Sequence, residues 1–193
     1  MNIYKSLIIF VISVAANATP FFGTPYTIIA TSFLVEEGLT IQNFISVVLI
    51  TAIGATIAKI FMYVLGLGIK RKVEHGKNIQ FLLQMIKPEK RSFDFIVFVT
   101  AALPLLPIDD FVFLLGGIGK ISLSRMLFVT LIAKLVKSTA EIPIEAYGLI
   151  TFGNITHVPL LYLGIITSVA LTILGIVLAK VDLEELYNRF RFK

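Results

Sequence analysis

Five long apolar stretches, at about 3–35, 41–68, 93–118, 123–150 and 157–180, run through the chain, and two of them are broken at their centres by paired prolines. The first break reads Asn17-Ala-Thr-Pro20-Phe-Phe-Gly23-Thr24-Pro25, the second Ala102-Leu-Pro104-Leu-Leu-Pro107-Ile-Asp109-Asp110. Two prolines within a few residues remove N–H donors and clash with the preceding turn, so a helix stops there rather than bending. Each limb is then roughly 10–15 residues, against the about 20 needed to cross a hydrocarbon core. The pattern predicts two re-entrant hairpins whose tips reach mid-membrane, with their irregular backbone sheltered by protein. Thr24-Pro25 and Leu106-Pro107 are expected to start the returning half-helices, with proline at the first helical position.

Composition agrees with a chain that lies almost wholly in a bilayer. Its 193 residues are 57% hydrophobic and 15% charged, with a mean hydropathy of +0.93, against about 45–50% and about 25% in soluble domains. One membrane domain covering 1–193 is expected. The formal charge of +5 is concentrated in the connection 69–92, at Lys120 and Arg125, and in the tail 181–193, whereas the opposite connections carry Glu36, Glu37 and the uncharged stretch 151–157. That asymmetry is the cytoplasmic excess of Lys and Arg that orients membrane helices, so 69–92 and the C-terminus are assigned to the cytoplasm and nucleic acid is not an expected partner. Ile79, Leu82, Leu83 and Ile86 in the basic connection, and Leu183, Leu186, Tyr187 and Phe190 in the tail, have the spacing of interfacial helices. With no Cys, two His and no nucleophile elbow, phosphate loop or zinc signature, neither an enzyme nor a cofactor or metal is expected.

A shift of 82 residues places Pro25 on Pro107, Ala58 on Ala140, Ile60 on Ile142, Gly66 on Gly148 and Leu67 on Leu149. Each copy is a hairpin followed by a long helix: repeat one is 3–68, repeat two 93–150, and a spanning helix 157–180 follows. A hairpin returns to its own side and the long helix crosses, so the second copy starts on the opposite face. The expected fold is an all-α polytopic membrane protein, an inverted repeat of two opposed re-entrant hairpins with substrate near the midplane. Two rivals concern 3–19. Lys5, the apolar run 6–15 and Ala16-Asn17-Ala18 have the pattern of a signal peptide, and a plain spanning helix would place the N-terminus in the cytoplasm.

Lys59, Asp109, Asp110, Lys134, Lys137 and Glu141 sit inside apolar stretches, where a lone charge costs at least about 2.5–3.5 kcal/mol. Each must face protein or water. At 1.5 Å per residue, Lys59 lies about 7 Å to the cytoplasmic side of its helix centre and Glu141 about 7 Å to the outer side, so these two should not pair. Lys137 and Glu141 are spaced i, i+4 and can pair along the helix. Asp109 and Asp110, at the cytoplasmic depth and in a first turn that favours carboxylates, are the expected partners of Lys59 and Lys134. Such a group is either a salt-bridge network fixing the hairpin or a hydrated site for a polar substrate.

Ala102-Leu-Pro104-Leu-Leu-Pro107, Gly117, Ile121-Ser122 and Phe128, together with Gly54, Tyr63 and Gly66, resemble the DedA family, also called the VTT or SNARE-associated Golgi protein family, over about 17–148. Lys59 stands where that family usually has Asp, Ala101 where it commonly has Arg, and Asn17 near a hairpin position where a carboxylate is often found. The resemblance implies a lipid transporter, a flippase or scramblase of polyprenyl phosphate or phospholipid. On that basis Lys59, Lys134 and Lys137, with the half-helix starts at Thr24, Pro25 and Pro107, are expected to bind the lipid phosphate. Asp109, Asp110 and Glu141 are expected to relay protons or to hold the lysines when the site is empty. Membrane lipids, foremost an anionic phosphate-bearing one, are the expected partners, with a second copy of the chain as a further candidate. The alternatives are a proton- or ion-coupled exporter of small cations, with the carboxylates binding substrate, and a non-transporting assembly protein.

Overall fold

The structure is a computed structural model that describes residues 1–19, 25–73, 80, 91–103 and 108–180. The expected hairpin tips, including Thr24 and Pro107, the interfacial helix around 79–86 and the tail 181–193 lie outside the described residues. Within them there are seven helices and no strand: α1 (Ile3–Ala18), α2 (Tyr26–Glu37), α3 (Ile41–Val73), α4 (Arg91–Ala102), α5 (Ile108–Ile118), α6 (Leu123–Thr156) and α7 (Leu160–Lys180).

Local chemistry sets the boundaries. Both proline-broken stretches give two short helices each, and Pro25 occupies the N-cap of α2 with its ring-fixed φ of -72°. Gly38, at φ 96°, takes the positive dihedral that closes α2, and Thr40 then caps α3 by accepting the Asn43 N–H at 3.2 Å. The sequence places the end of the fourth apolar helix near 150, whereas α6 continues to Thr156. Past 150 the first proline is Pro159, and the chain stays helical through Gly153 to Thr156, with the Thr151 and Thr156 hydroxyls donating back to the carbonyls of Tyr147 and Phe152 at 2.8 Å. The helix ends at His157, in the left-handed region at φ 56°.

The chain folds as two interlocked units. α1 and α2 are antiparallel, their outer ends tied by Lys5 Nζ to Glu37 Oε1 at 2.6 Å. The start of α3 lies at that same end, where the Asn43 amide donates to the Gly38 carbonyl at 3.1 Å. At the far end of α3, the Tyr63 hydroxyl donates to the Ile121 carbonyl at 2.7 Å. There α4 and α6 begin together, joined by Arg125 to Asp94 in a two-pronged pair at 2.8 Å. α1 packs on α3 and α4 on α6, while each return helix packs on the other unit's long helix, α5 on α3 and α2 on α6. α7 then runs back along α2, with the Ser168 hydroxyl 3.4 Å from the Pro25 carbonyl.

α2 and α5 begin at 26 and 108, and α3 and α6 at 41 and 123, so both pairs of starts lie 82 residues apart. The environments of the aligned residues are less alike. Ala58 is fully buried and Ala140 exposed, and Gly66 is wedged against α5 whereas a Cβ on Gly148 would meet open space.

Large apolar side chains cover much of the surface, while several polar and charged ones are buried. Ile45, Leu49, Ile53, Ile57 and Phe61 form an exposed stripe along α3 at four-residue spacing, while Thr51 and Lys59 on the same helix are buried. α3 is, among the described residues, the single unbroken helix long and apolar enough to cross a membrane by itself, and α6 with α7 meets the criterion as a pair bent by 112°. Two apolar clusters form the interior. One joins Ile9, Phe33, Leu34, Val47 and Ile142; the other joins Met62, Tyr63, Phe93, Phe113, Ile118 and Met126. Along both α3 and α6 the buried lysines fall between these clusters.

Candidate functional site

The layer between the clusters is built by four helices. α3 supplies Lys59, the first turn of α5 supplies Asp109 and Asp110, and α6 supplies Lys134, Lys137, Glu141 and Glu145. α2 contributes Tyr26, Thr27 and Thr31. Lys59, Lys134, Asp109 and Asp110 are each at most 4% exposed.

Asp109 Oδ2 is shared by two cations, Lys134 Nζ at 2.9 Å and Lys59 Nζ at 3.2 Å. Lys59 also reaches Asp110 Oδ1 at 2.5 Å. One carboxylate thereby ties the two long helices, α3 and α6, to the start of α5. The arrangement satisfies elementary electrostatics twice over, since buried charges need partners and a helix N-terminus favours an anion. The four residues expected to meet do meet. Lys137 and Glu141 are 3.8 Å apart along α6, and Lys59 faces α5 rather than its repeat-equivalent Glu141. Pro25 stands at the α2 start with its carbonyl turned to Ser168.

A second group was not singled out by the sequence. Glu145 accepts hydrogen bonds from Thr27 at 2.6 Å and from Thr31 at 2.8 Å. Thr27 also interacts with Glu141, and the buried Tyr26 hydroxyl lies within electrostatic reach of Glu141, Asp109 and Glu145. The signal for Glu145 is its position four residues after Glu141, completing a stripe with Lys134 and Ser138 at i, i+4, i+7, i+11. With Glu145 counted, four carboxylates face three lysines, so the layer carries no excess of positive charge.

Comparison with known proteins finds one family model: the VTT domain matches residues 19–144. No curated protein matches the chain, and neither does any solved structure.

Proposed function

The chain belongs to the VTT-domain family, whose members are generally membrane proteins, and on that premise we propose that it translocates an anionic, phosphate-bearing lipid across the bilayer. The observation that carries this reading is the position of Asp109. A carboxylate held at a helix N-terminus between two lysines from two long helices occupies a place where a phosphate would be bound by the same donors. In the empty protein Asp109 and Asp110 act as stand-ins for the substrate anion. Because the carboxylates outnumber the lysines, the headgroup enters only as the carboxylates take up protons or α5 withdraws. The hydrocarbon chain remains in lipid beside the exposed aliphatic surface of α3.

The membrane arrangement proposed with it is an inverted repeat: α1–α2 enters as a hairpin from the outer face and α4–α5 from the cytoplasmic face, α3 and α6 cross, and α7 makes a C-terminal span. Support comes from the paired ends at Lys5–Glu37 and Asp94–Arg125, which lie at opposite ends of α3, and from the shared 82-residue offset of the helix starts. The basic connection 69–92 and the C-terminus are cytoplasmic in this arrangement. The test is headgroup translocation in vesicles reconstituted with the purified protein, using a fluorescent polyprenyl phosphate and a neutral lipid of equal chain length. Selective movement of the phosphate lipid, lost in Lys59→Met, supports the reading. Equal movement of both lipids, or none, overturns it.

A further inference from the structure

Glu145 is the carboxylate that the lysine network leaves over. Among the described residues its bonded partners are two neutral hydroxyls, Thr27 on one oxygen and Thr31 on the other. Two donors leave about half of a carboxylate's acceptor positions unused, and among the described residues no lysine or arginine is within ion-pair distance; Lys137 and Glu141, on the same helix, are the other described charges that act on it. A half-buried carboxylate without a cation is costly unless it is protonated or a cation arrives from outside.

A cavity stands ready beside it. Glu145 lines a space of about 150 Å³ between α2, α6 and α7, together with Ile28, Gly148, Leu149, Phe152, Leu163 and Thr167. A benzene-sized group fills a cavity of about that size. Phe152, on the wall of this space, is 61% exposed and is the most open of the side chains that line it. One carboxylate, one aromatic ring, mostly aliphatic walls and a Thr167 hydroxyl already bonded to the Leu163 carbonyl at 2.8 Å are the chemistry that recognises an alkylammonium, with the charge balanced by the carboxylate and the aromatic ring. A hard inorganic cation takes six or more oxygen ligands, whereas the side chains lining this space supply one carboxylate and one hydroxyl.

We infer that the Glu145 cavity binds a small organic cation, an ammonium group bearing apolar substituents that enters from the lipid side at Phe152. Glu145 shares the polar layer with the Asp109 network, but none of Lys59, Lys134, Asp109 and Asp110 lines this space, and binding here is measured without reference to lipid translocation. Binding of phenyltrimethylammonium, whose ammonium head suits the cavity, is measured by equilibrium dialysis against the full chain in non-ionic micelles, with protein-free micelles as the blank. Its neutral isostere tert-butylbenzene serves as competitor. One saturable site per chain is expected, weakened about tenfold or more in Glu145→Gln and blocked in Gly148→Leu, whose side chain has open space to enter and leaves the threonine bonds intact. Competition by tert-butylbenzene at equal free concentration would show apolar filling alone and overturn the inference. So would unchanged binding in Glu145→Gln, the result expected if this carboxyl is simply a neutral hydrogen-bonded acid. Should Glu145→Gln fail to fold by far-ultraviolet circular dichroism, Gly148→Leu decides: retained binding refutes the cavity as the site.

Discussion

Gly66 of α3 and Gly117 of α5 meet backbone to backbone: a Cβ on Gly66 would collide with the Leu114 carbonyl, and one on Gly117 with the Tyr63 carbonyl. This contact holds the return helix of one unit on the long helix of the other, a few residues from the Lys59 pairs. In a membrane, where lipid is as apolar as the helix face, such close approach through small residues is a main source of helix association.

Alanine at either glycine should therefore separate α3 from α5 and lower stability by about 1–3 kcal/mol or more, since the obstruction is backbone rather than a flexible side chain. Gly148→Ala is the control, with a predicted gain of about 0.5–1 kcal/mol from helix propensity alone. Thermal unfolding in micelles, followed by circular dichroism, checks the ranking. Equal effects at Gly66 and Gly148 would refute the crossing.

The shared carboxylate makes single substitutions unequal. Lys134→Met leaves Asp109 paired with Lys59, whereas Asp109→Leu leaves Lys134 buried without its partner. Stranding a buried charge typically costs about 3–5 kcal/mol, so Asp109→Leu should be the more destabilising of the two. The double variant should regain most of the loss while transport stays absent. Transport restored along with stability would mean that the network is structural only.

Acid should loosen the Lys5–Glu37 end of the α1–α2 pair. The Lys5 ammonium beside Glu37 holds that carboxyl below its ordinary range. A carboxyl depressed in the folded state stabilises it above the unfolded pKa, about 4.3, and that contribution is lost as pH falls through the lower folded value. The protection of amides at the start of α1 and the end of α2, taken relative to their intrinsic exchange rates at each pH, should fall below about pH 4 in the native chain and change less in Glu37→Gln. Indifference of both to pH would remove the ion pair from the account.

The opposed hairpins proposed above predict sidedness. The chain has no native Cys, so Leu39→Cys, Asn154→Cys and Lys120→Cys each give a single label site. Impermeant maleimide added to intact cells should reach 39 and 154 and not 120. Labelling of 39 and 120 from the same side contradicts the arrangement proposed.

Much of this molecule is written locally. The prolines at 20, 25, 104 and 107 divide two apolar stretches into helix pairs because a missing donor and a ring clash act within four residues of themselves. The 82-residue offset is legible for the same reason: it repeats the positions of starts and stops, which are local events. That Lys59, Lys134, Asp109 and Asp110 need one another follows from the expense of isolated charge at membrane depth. Helix rise alone separates Lys59 from Glu141.

What tertiary structure decided is azimuth and crossing. Sequence spacing gives a residue's height along a helix, but which face of α3 meets α5, and how closely, depends on Gly66 and Gly117 fitting together across 51 residues of chain. That fit is why Asp109 is shared by two lysines rather than paired with one. Repeat-equivalent positions also differ in burial, Ala58 being buried while its counterpart Ala140 is exposed. Glu145 became a candidate only when α2 laid Thr27 and Thr31 against it and α7 closed the cavity's third wall. A carboxylate's role is set by what three separate helices bring to it, and no single stretch of sequence contains that information.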